Sequence, residues 1–114
     1  MKLVNLTKNI VLCQKLIVAD NFWTRTKGLL GRKNLDSDTA LLIKPCNSIH
    51  TFFMHFAIDA LFLDKDYKVV SILTSLKPFK LSPIFWQARF VVEFSAKSIS
   101  AAQAQIGDSL SIQG

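Results

Sequence analysis

Short apolar runs rich in β-branched residues recur along this chain, and polar or proline-containing turns separate them. Runs of this length and composition are typical of buried or half-buried strands. None approaches the roughly 18 apolar residues that a membrane-spanning helix requires. The predicted strands are Ile10 to Ala19, Thr39 to Lys44, Ile58 to Leu63, Lys68 to Thr74, Arg89 to Phe94 and Asp108 to Ile112, with Asp64-Lys65-Asp66 as the turn of a hairpin.

Two segments instead show helical spacing of apolar residues. The first covers residues 22–30, and a glycine ends it. The second covers Ala96 to Ile106, with Ser95 as N-cap and Gly107 as the stop. Because strands outnumber helices and do not alternate with them regularly, we predict an α+β fold. We expect a β-rich single domain over residues 1–114, with a rolled or barrel-like, mainly antiparallel sheet and two short helices.

The composition is that of a globular protein. Half of the 114 residues are apolar and 19% are charged, which excludes a disordered tail and leaves room for about one domain. No export signal is recognisable near Cys13, so we predict a cytoplasmic protein in which Cys13 and Cys46 stay reduced.

The segment from Cys46 to Asp59 holds most of the side chains that carry chemistry, including both histidines. Cys46, His50 and Met54 are spaced by four residues and would share a face in a strand or in a helix. Thiolate, imidazole and thioether are donors that suit soft metals such as cuprous ion. An apolar core face explains the same spacing. We therefore predict no metal and no cofactor, and we keep this trio as the alternative.

Two carboxylates interrupt apolar strands. Asp59 shares its strand face with Leu61 and Leu63, so it needs a donor or a cation, for which Arg25, Arg32 and His50 are the candidates. Glu93 raises the same question, with Arg89 or Arg25 as partner. Each carboxylate fits a structural ion pair as well as a functional site.

Several linked motifs resemble a widespread prokaryotic domain-of-unknown-function family of small uncharacterised proteins. They are Arg25-Thr-Lys-Gly28-Leu-Leu-Gly31-Arg32, then Pro45-Cys46-Asn-Ser-Ile-His50-Thr-x-x-Met54, then Ile58-Asp59-Ala-Leu-Phe-Leu-Asp64, and finally Val92-Glu93 and Gly107-Asp108. The likeness runs from about Leu16 to Ile112.

The resemblance implies a compact, partly barrel-like β-rich domain with short helices and no established activity. Its characteristic side chains correspond to Arg25, Arg32, His50, Met54, Asp59 and Glu93. The chain departs from the pattern at three places: Ala57 replaces a common proline, while Tyr67 and Lys97 each replace a glycine. Some relatives carry export signals.

Three functional hypotheses follow. The leading one is a non-enzymatic protein that binds a small molecule or a protein partner at a polar cluster around His50 and Asp59. The second is a small enzyme with His50 and Asp59 as an acid–base pair. The third is a nucleic-acid-binding protein, suggested by the +6 charge and by basic residues near Arg25 and Arg32.

One apolar segment remains outside these hypotheses. Residues from Leu76 to Trp86 combine aromatic, aliphatic, proline and lysine residues. They predict either a loop that contacts a partner or a loop that folds back over the core.

Overall fold

The computed structural model describes residues 1–19, 35–36, 38–52 and 54–114, which contain eight β-strands. A three-stranded sheet has the order β2-β1-β8, and a five-stranded sheet has the order β3-β4-β7-β5-β6. Among the described strand pairs only β3 and β4 are parallel. The strands are β1 (Lys2–Asn5), β2 (Ile10–Cys13), β3 (Lys15–Ala19), β4 (Thr39–Ile43), β5 (Ile58–Leu63), β6 (Val69–Leu76), β7 (Phe90–Ser95) and β8 (Leu110–Gln113).

Side chains of the five-stranded sheet alternate between two apolar cores, one on each face. Leu42, Leu61 and Val92 enter the first core, which also contains Leu3 and Leu110 from the three-stranded sheet. The first core therefore lies between the two sheets. Apolar packing in this core holds the two sheets together, since they have no strand in common.

The second core covers the opposite face of the five-stranded sheet. Leu41, Phe62 and Val91 supply it from the strands, and Ile49 and Met54 supply it from the loop after β4. Burial on both faces explains why the central strands are apolar almost throughout rather than alternating with polar residues.

The strand predicted from Ile10 to Ala19 is two strands that belong to different sheets. The break falls at Gln14, whose backbone N–H donates to the Asp38 carbonyl oxygen at 3.2 Å and to its Oδ1 at 3.1 Å. The predicted hairpin of β5 and β6 is confirmed, and Asp64 Oδ1 accepts the backbone N–H of Lys68 at 3.0 Å within its turn.

The helix predicted over Ala96 to Ile106 is wrong, because this segment forms a series of turns. Two of its backbone N–H groups donate to aspartate side chains outside the segment, and the spacing of its apolar residues does not reveal these bonds. Ile99 N donates to Asp59 Oδ2 at 3.0 Å, and Gln105 N donates to Asp108 Oδ2 at 2.9 Å. Acceptors of this kind compete with helical hydrogen bonds.

The α+β class is therefore corrected to a fold built from strands in two sheets. The other predicted helix, over residues 22–30, lies outside the described residues. Within the described ranges no helix is present, and hence none is long and apolar enough to cross a membrane. The two sheets stay separate, so the predicted barrel-like closure is also wrong.

Tyr67 and Lys97, at which the family resemblance implies glycine, are two of five described non-glycine residues that adopt the left-handed backbone conformation. Tyr67 has a φ of 62° and Lys97 a φ of 66°. Side chains with a Cβ atom are disfavoured in this region. Tyr67 stacks on Phe90, with ring centroids 4.7 Å apart, and this contact offsets part of the cost.

Candidate functional site

Asp59 is fully buried, and its carboxylate joins β5 to two later segments of the chain. Oδ1 accepts the backbone N–H of Ser75 at 2.7 Å, and Oδ2 accepts that of Ile99 at 3.0 Å. The sequence led us to expect a cationic partner, but across the described residues no ion pair involves Asp59. Backbone amides satisfy the carboxylate instead, which makes Asp59 a structural link.

Glu93 is buried in the second core. On the neighbouring strands it lies opposite Leu41 and Ala60, both members of that core. Burial raises the pKa of the Glu93 carboxyl to about 8. Arg89 is exposed and forms no ion pair with Glu93, so the predicted pairing of these two is absent.

His50 lies on the surface, in the loop after β4. It forms an isolated antiparallel bridge with Leu81. Its ring stacks on Phe52 with centroids 5.4 Å apart, and its Nδ1 accepts the backbone N–H of Phe52 at 3.3 Å. The imidazole is therefore accessible, and its neighbours are apolar side chains.

His50 and Asp59 lie on opposite sides of the five-stranded sheet. Asp59 is opposite Phe94, which belongs to the first core. The loop that carries His50 packs through Ile49 and Met54 into the second core. The structure therefore does not bring the predicted acid–base pair together.

The alternative metal-binding trio is not assembled either. His50 is exposed, whereas Met54 is 4% exposed and packs in the second core. Cys46 Sγ lies 3.0 Å from the Ser48 carbonyl oxygen. The spacing of four residues does not place these side chains on one face, because a turn intervenes in which Met54 N donates to Thr51 O at 3.2 Å. Where the chain is described, no group of three His, Cys, Asp or Glu side chains is placed to bind a metal.

The two remaining predicted site residues, Arg25 and Arg32, lie outside the described residues. Cys13 and Cys46 form no disulfide. Burial raises the pKa of the Cys13 thiol, which keeps it protonated and unreactive near neutral pH.

The most distinctive surface feature is a pair of loops that we call the loop ribbon, consisting of residues 47–52 and 77–86. Backbone hydrogen bonds join the two segments at intervals: Thr51 N donates to Lys80 O, Ser82 N to Ile49 O and Phe85 N to Asn47 O, at 2.8 to 2.9 Å. Thr51 and Ser82 point inward and are buried.

Thr51 is the polar residue that fixes the loop ribbon, and the sequence did not single it out. Its fully buried Oγ1 donates to Lys77 O at 2.6 Å and accepts Lys80 N at 2.8 Å. Its only signal in the sequence is a small polar side chain within an apolar run, which many structural threonines share.

The outer face of the loop ribbon is apolar and exposed. Leu81 is 70% exposed and Trp86 79%, and Phe52, Phe79 and Ile84 are exposed as well. At its base, Asn47 and Arg89 help to line an open groove of about 240 Å³. Exposed apolar side chains grouped in this way mark interaction surfaces.

The sequence also did not single out Asn5. This residue is fully buried, and its Nδ2 donates to Gln103 O and to Asp108 Oδ2, both at 2.8 Å. This link holds the turns before β8 against β1. It lies far from the loop ribbon in the chain and serves the fold.

Comparisons with known proteins agree on the family and the fold. UPF0127 protein PH1112 of Pyrococcus horikoshii is 31% identical over 113 residues, which cover 95% of this chain and 96% of that protein. The crystal structure of a protein of unknown function from Novosphingobium aromaticivorans matches 98% of this chain and 84% of that one, with a TM-score of 0.85 at 18% identity.

A second crystal structure, from Sinorhizobium meliloti 1021, carries a name that proposes a transcription regulator. It matches 96% of this chain and 89% of that one with a TM-score of 0.76 at 18% identity. At this identity the two structures establish the fold alone. The family model described as Uncharacterized ACR, DUF192, matches residues 4–112, and the chain belongs to this family.

Proposed function

We propose that this chain is a non-enzymatic accessory protein that binds a partner through the exposed face of the loop ribbon. The observation that carries this proposal is the exposure of Leu81 and Trp86, at 70% and 79%, on loops whose backbone is held in place. Burying such side chains against a partner yields roughly 1.5–3 kcal/mol each.

The buried polar residues support the same assignment by elimination. Both carboxylate oxygens of Asp59 accept hydrogen bonds from backbone N–H groups, and Glu93 faces the second core. Of the predicted site residues in the described part of the chain, only His50 belongs to the exposed surface, beside Phe52 and Leu81. We therefore move the candidate site from a polar cluster to the loop ribbon, with His50 on its outer face.

Photo-crosslinking tests the proposal. A benzophenone amino acid replaces Leu81, Trp86 or, as a matched control, Ile106, which is 68% exposed on another loop. After illumination in cells, we expect a discrete adduct from positions 81 and 86 and none from position 106. No adduct from any position, or equal adducts from all three, would contradict the proposal.

The cytoplasmic location predicted from the sequence is part of this proposal. Fractionation of the same cells tests this location. Recovery of the adduct from another compartment would contradict it.

A further inference from the structure

The charged residues within and beside the two segments of the loop ribbon in the sequence are all basic. No acidic residue occurs between Asp38 and Asp59 or between Asp66 and Glu93. Both segments of the ribbon lie inside these intervals. Lys77, Lys80 and Arg89 are exposed there, and across the described residues none of the three forms an ion pair. The surface is therefore complementary to an anionic partner.

The apolar side chains on this face are both aliphatic and aromatic. Leu81 and Ile84 are exposed beside Phe79 and Trp86, and Lys77 and Lys80 flank Phe79 in the sequence. Tryptophan with aliphatic side chains and flanking lysines is the combination that occupies the boundary between lipid headgroups and acyl chains. Lysine stems cover apolar surface while their ammonium groups reach the anionic headgroups.

The backbone of the loop ribbon suits burial in such a boundary. Moving an N–H or C=O group from water into an apolar environment without a hydrogen bond costs about 2–7 kcal/mol. Here Thr51 N, Phe79 N, Ser82 N and Phe85 N already donate to carbonyl oxygens of the facing loop. Thr51 Oγ1 binds two further backbone groups. These four N–H groups therefore stay paired when the loop ribbon contacts lipid.

Two other occupants fit these observations less well. A second copy of the chain would bring Lys77, Lys80 and Arg89 against the same cations. Single-stranded nucleic acid would use the aromatic side chains for stacking, but Leu81 and Ile84 offer no flat surface to a base.

From this surface we propose that the partner of the loop ribbon is an anionic lipid membrane, to which the protein binds peripherally. This inference rests on the proposed function and names the partner of the same surface.

Flotation with lipid vesicles tests the inference. One set contains phosphatidylcholine with about one third phosphatidylglycerol, and the other contains phosphatidylcholine alone. We expect binding only to the anionic vesicles. It weakens when the salt concentration rises from about 0.01 M to 0.15 M, because the Debye length falls from about 30 Å to about 8 Å.

Charge reversal separates specific placement from net charge. Each basic residue near an anionic surface strengthens binding roughly fivefold, so the double variant Lys77→Glu/Lys80→Glu should bind at least about 25-fold more weakly. The matched control is Lys65→Glu/Lys68→Glu, at the exposed turn of the β5–β6 hairpin. This turn lies at the other end of β6 from Lys77, eight residues or roughly 25 Å away. Equal losses in both variants would overturn the inference.

Apolar substitutions test insertion. Leu81→Ser should lower binding about tenfold, whereas Ile106→Ser, at a similarly exposed position, should not change it. If Leu81→Ser binds anionic vesicles as the parent does, apolar contact with lipid is excluded and the inference fails.

The remaining outcomes keep the two proposals distinguishable. No vesicle binding, together with a protein adduct in the crosslinking experiment, overturns the lipid partner and leaves the proposed function intact. Binding to a labelled thymidine oligonucleotide, lost in Lys77→Glu/Lys80→Glu and unchanged in Leu81→Ser, would assign the surface to nucleic acid instead. Lipid adducts from positions 81 and 86 support both proposals.

Discussion

Asp59 and Glu93 are buried carboxylates on adjacent strands that face opposite sides of the same sheet. Asp59 lies opposite Phe94, and the next pair in the register is Ala60 and Glu93. Because neighbouring residues on a strand alternate, Asp59 faces the first core and Glu93 the second. Two carboxylates that seem equivalent in the sequence therefore have different environments and different expected effects on stability.

For Glu93 we expect a pH-dependent cost to the fold. Its pKa is raised from 4.5 to about 8, so the folded protein holds the proton more tightly than the unfolded chain. The stabilising effect of the protonated form is complete below about pH 4.5 and is lost as the pH rises through about 8. Between pH 4.5 and 7 the loss amounts to roughly 3 kcal/mol.

Glu93→Gln removes this titration. We expect urea unfolding to show a variant that is more stable than the parent by roughly 4 kcal/mol near pH 8 and within about 1 kcal/mol of it near pH 5. Asp66→Asn, which changes an exposed carboxylate in a turn, serves as the control. Parallel pH profiles for the parent and Glu93→Gln would contradict this expectation.

For Asp59 we expect substitution to destabilise the protein, because its carboxylate accepts two backbone hydrogen bonds. Asp59→Ala leaves the backbone N–H groups of Ser75 and Ile99 without their acceptor. Hydrogen bonds to a charged group contribute about 1.5–3 kcal/mol each, so we expect a loss of at least roughly 3 kcal/mol by urea unfolding. His50→Ala, at an exposed position, should change the free energy of unfolding by less than about 0.5 kcal/mol. A loss for His50→Ala as large as that for Asp59→Ala would contradict the placement of His50 on the surface.

The central strands of the five-stranded sheet were predictable because burial on both faces leaves a local mark, whereas β1 was not predicted. β4, β5 and β7 are apolar almost throughout, and the position of Asp59 on the same face as Leu61 and Leu63 follows from alternation alone. The donors to Asp59 were not predictable. They are backbone amides of Ser75 and Ile99, which only the register and the path of the later chain bring to it.

The wrong helix has a related cause. Ile99, Ala102 and Ile106 have helical spacing, but Ile99 is buried whereas Ala102 and Ile106 are exposed. Hydrogen bonds from its backbone N–H groups to the carboxylates of Asp59 and Asp108 determine the path of the segment, and the helical spacing of its apolar residues does not. Likewise, the spacing of His50 and Met54 loses its meaning at the intervening turn, so the sequence pattern did not predict where these two side chains lie.

Thr51 should control the order of the loop ribbon. Thr51→Val keeps the shape of the side chain but leaves Lys77 O without its hydroxyl donor and Lys80 N without its acceptor. We expect a loss of about 1–3 kcal/mol. We also expect trypsin to cleave faster after Lys80, and mass spectrometry measures the rate of this cleavage. Thr74→Val, at an exposed position on β6, is the matched control. Unchanged cleavage after Lys80 would mean that the backbone bonds alone hold the two loops.

Lys97 offers a test of backbone strain at a position where no packing is lost. Its φ of 66° lies in the left-handed region, and its side chain is exposed. A residue with a Cβ atom costs about 1–2 kcal/mol there, whereas glycine adopts the conformation freely and loses about 0.5–1 kcal/mol in chain entropy. We therefore expect Lys97→Gly to raise the free energy of unfolding by roughly 0.5 kcal/mol or more. Lys65→Gly, in a turn with an ordinary φ, should lower it by a similar amount, and thermal unfolding of the two variants beside the parent measures both signs. A decrease for both would show that the left-handed turn at Lys97 is not strained.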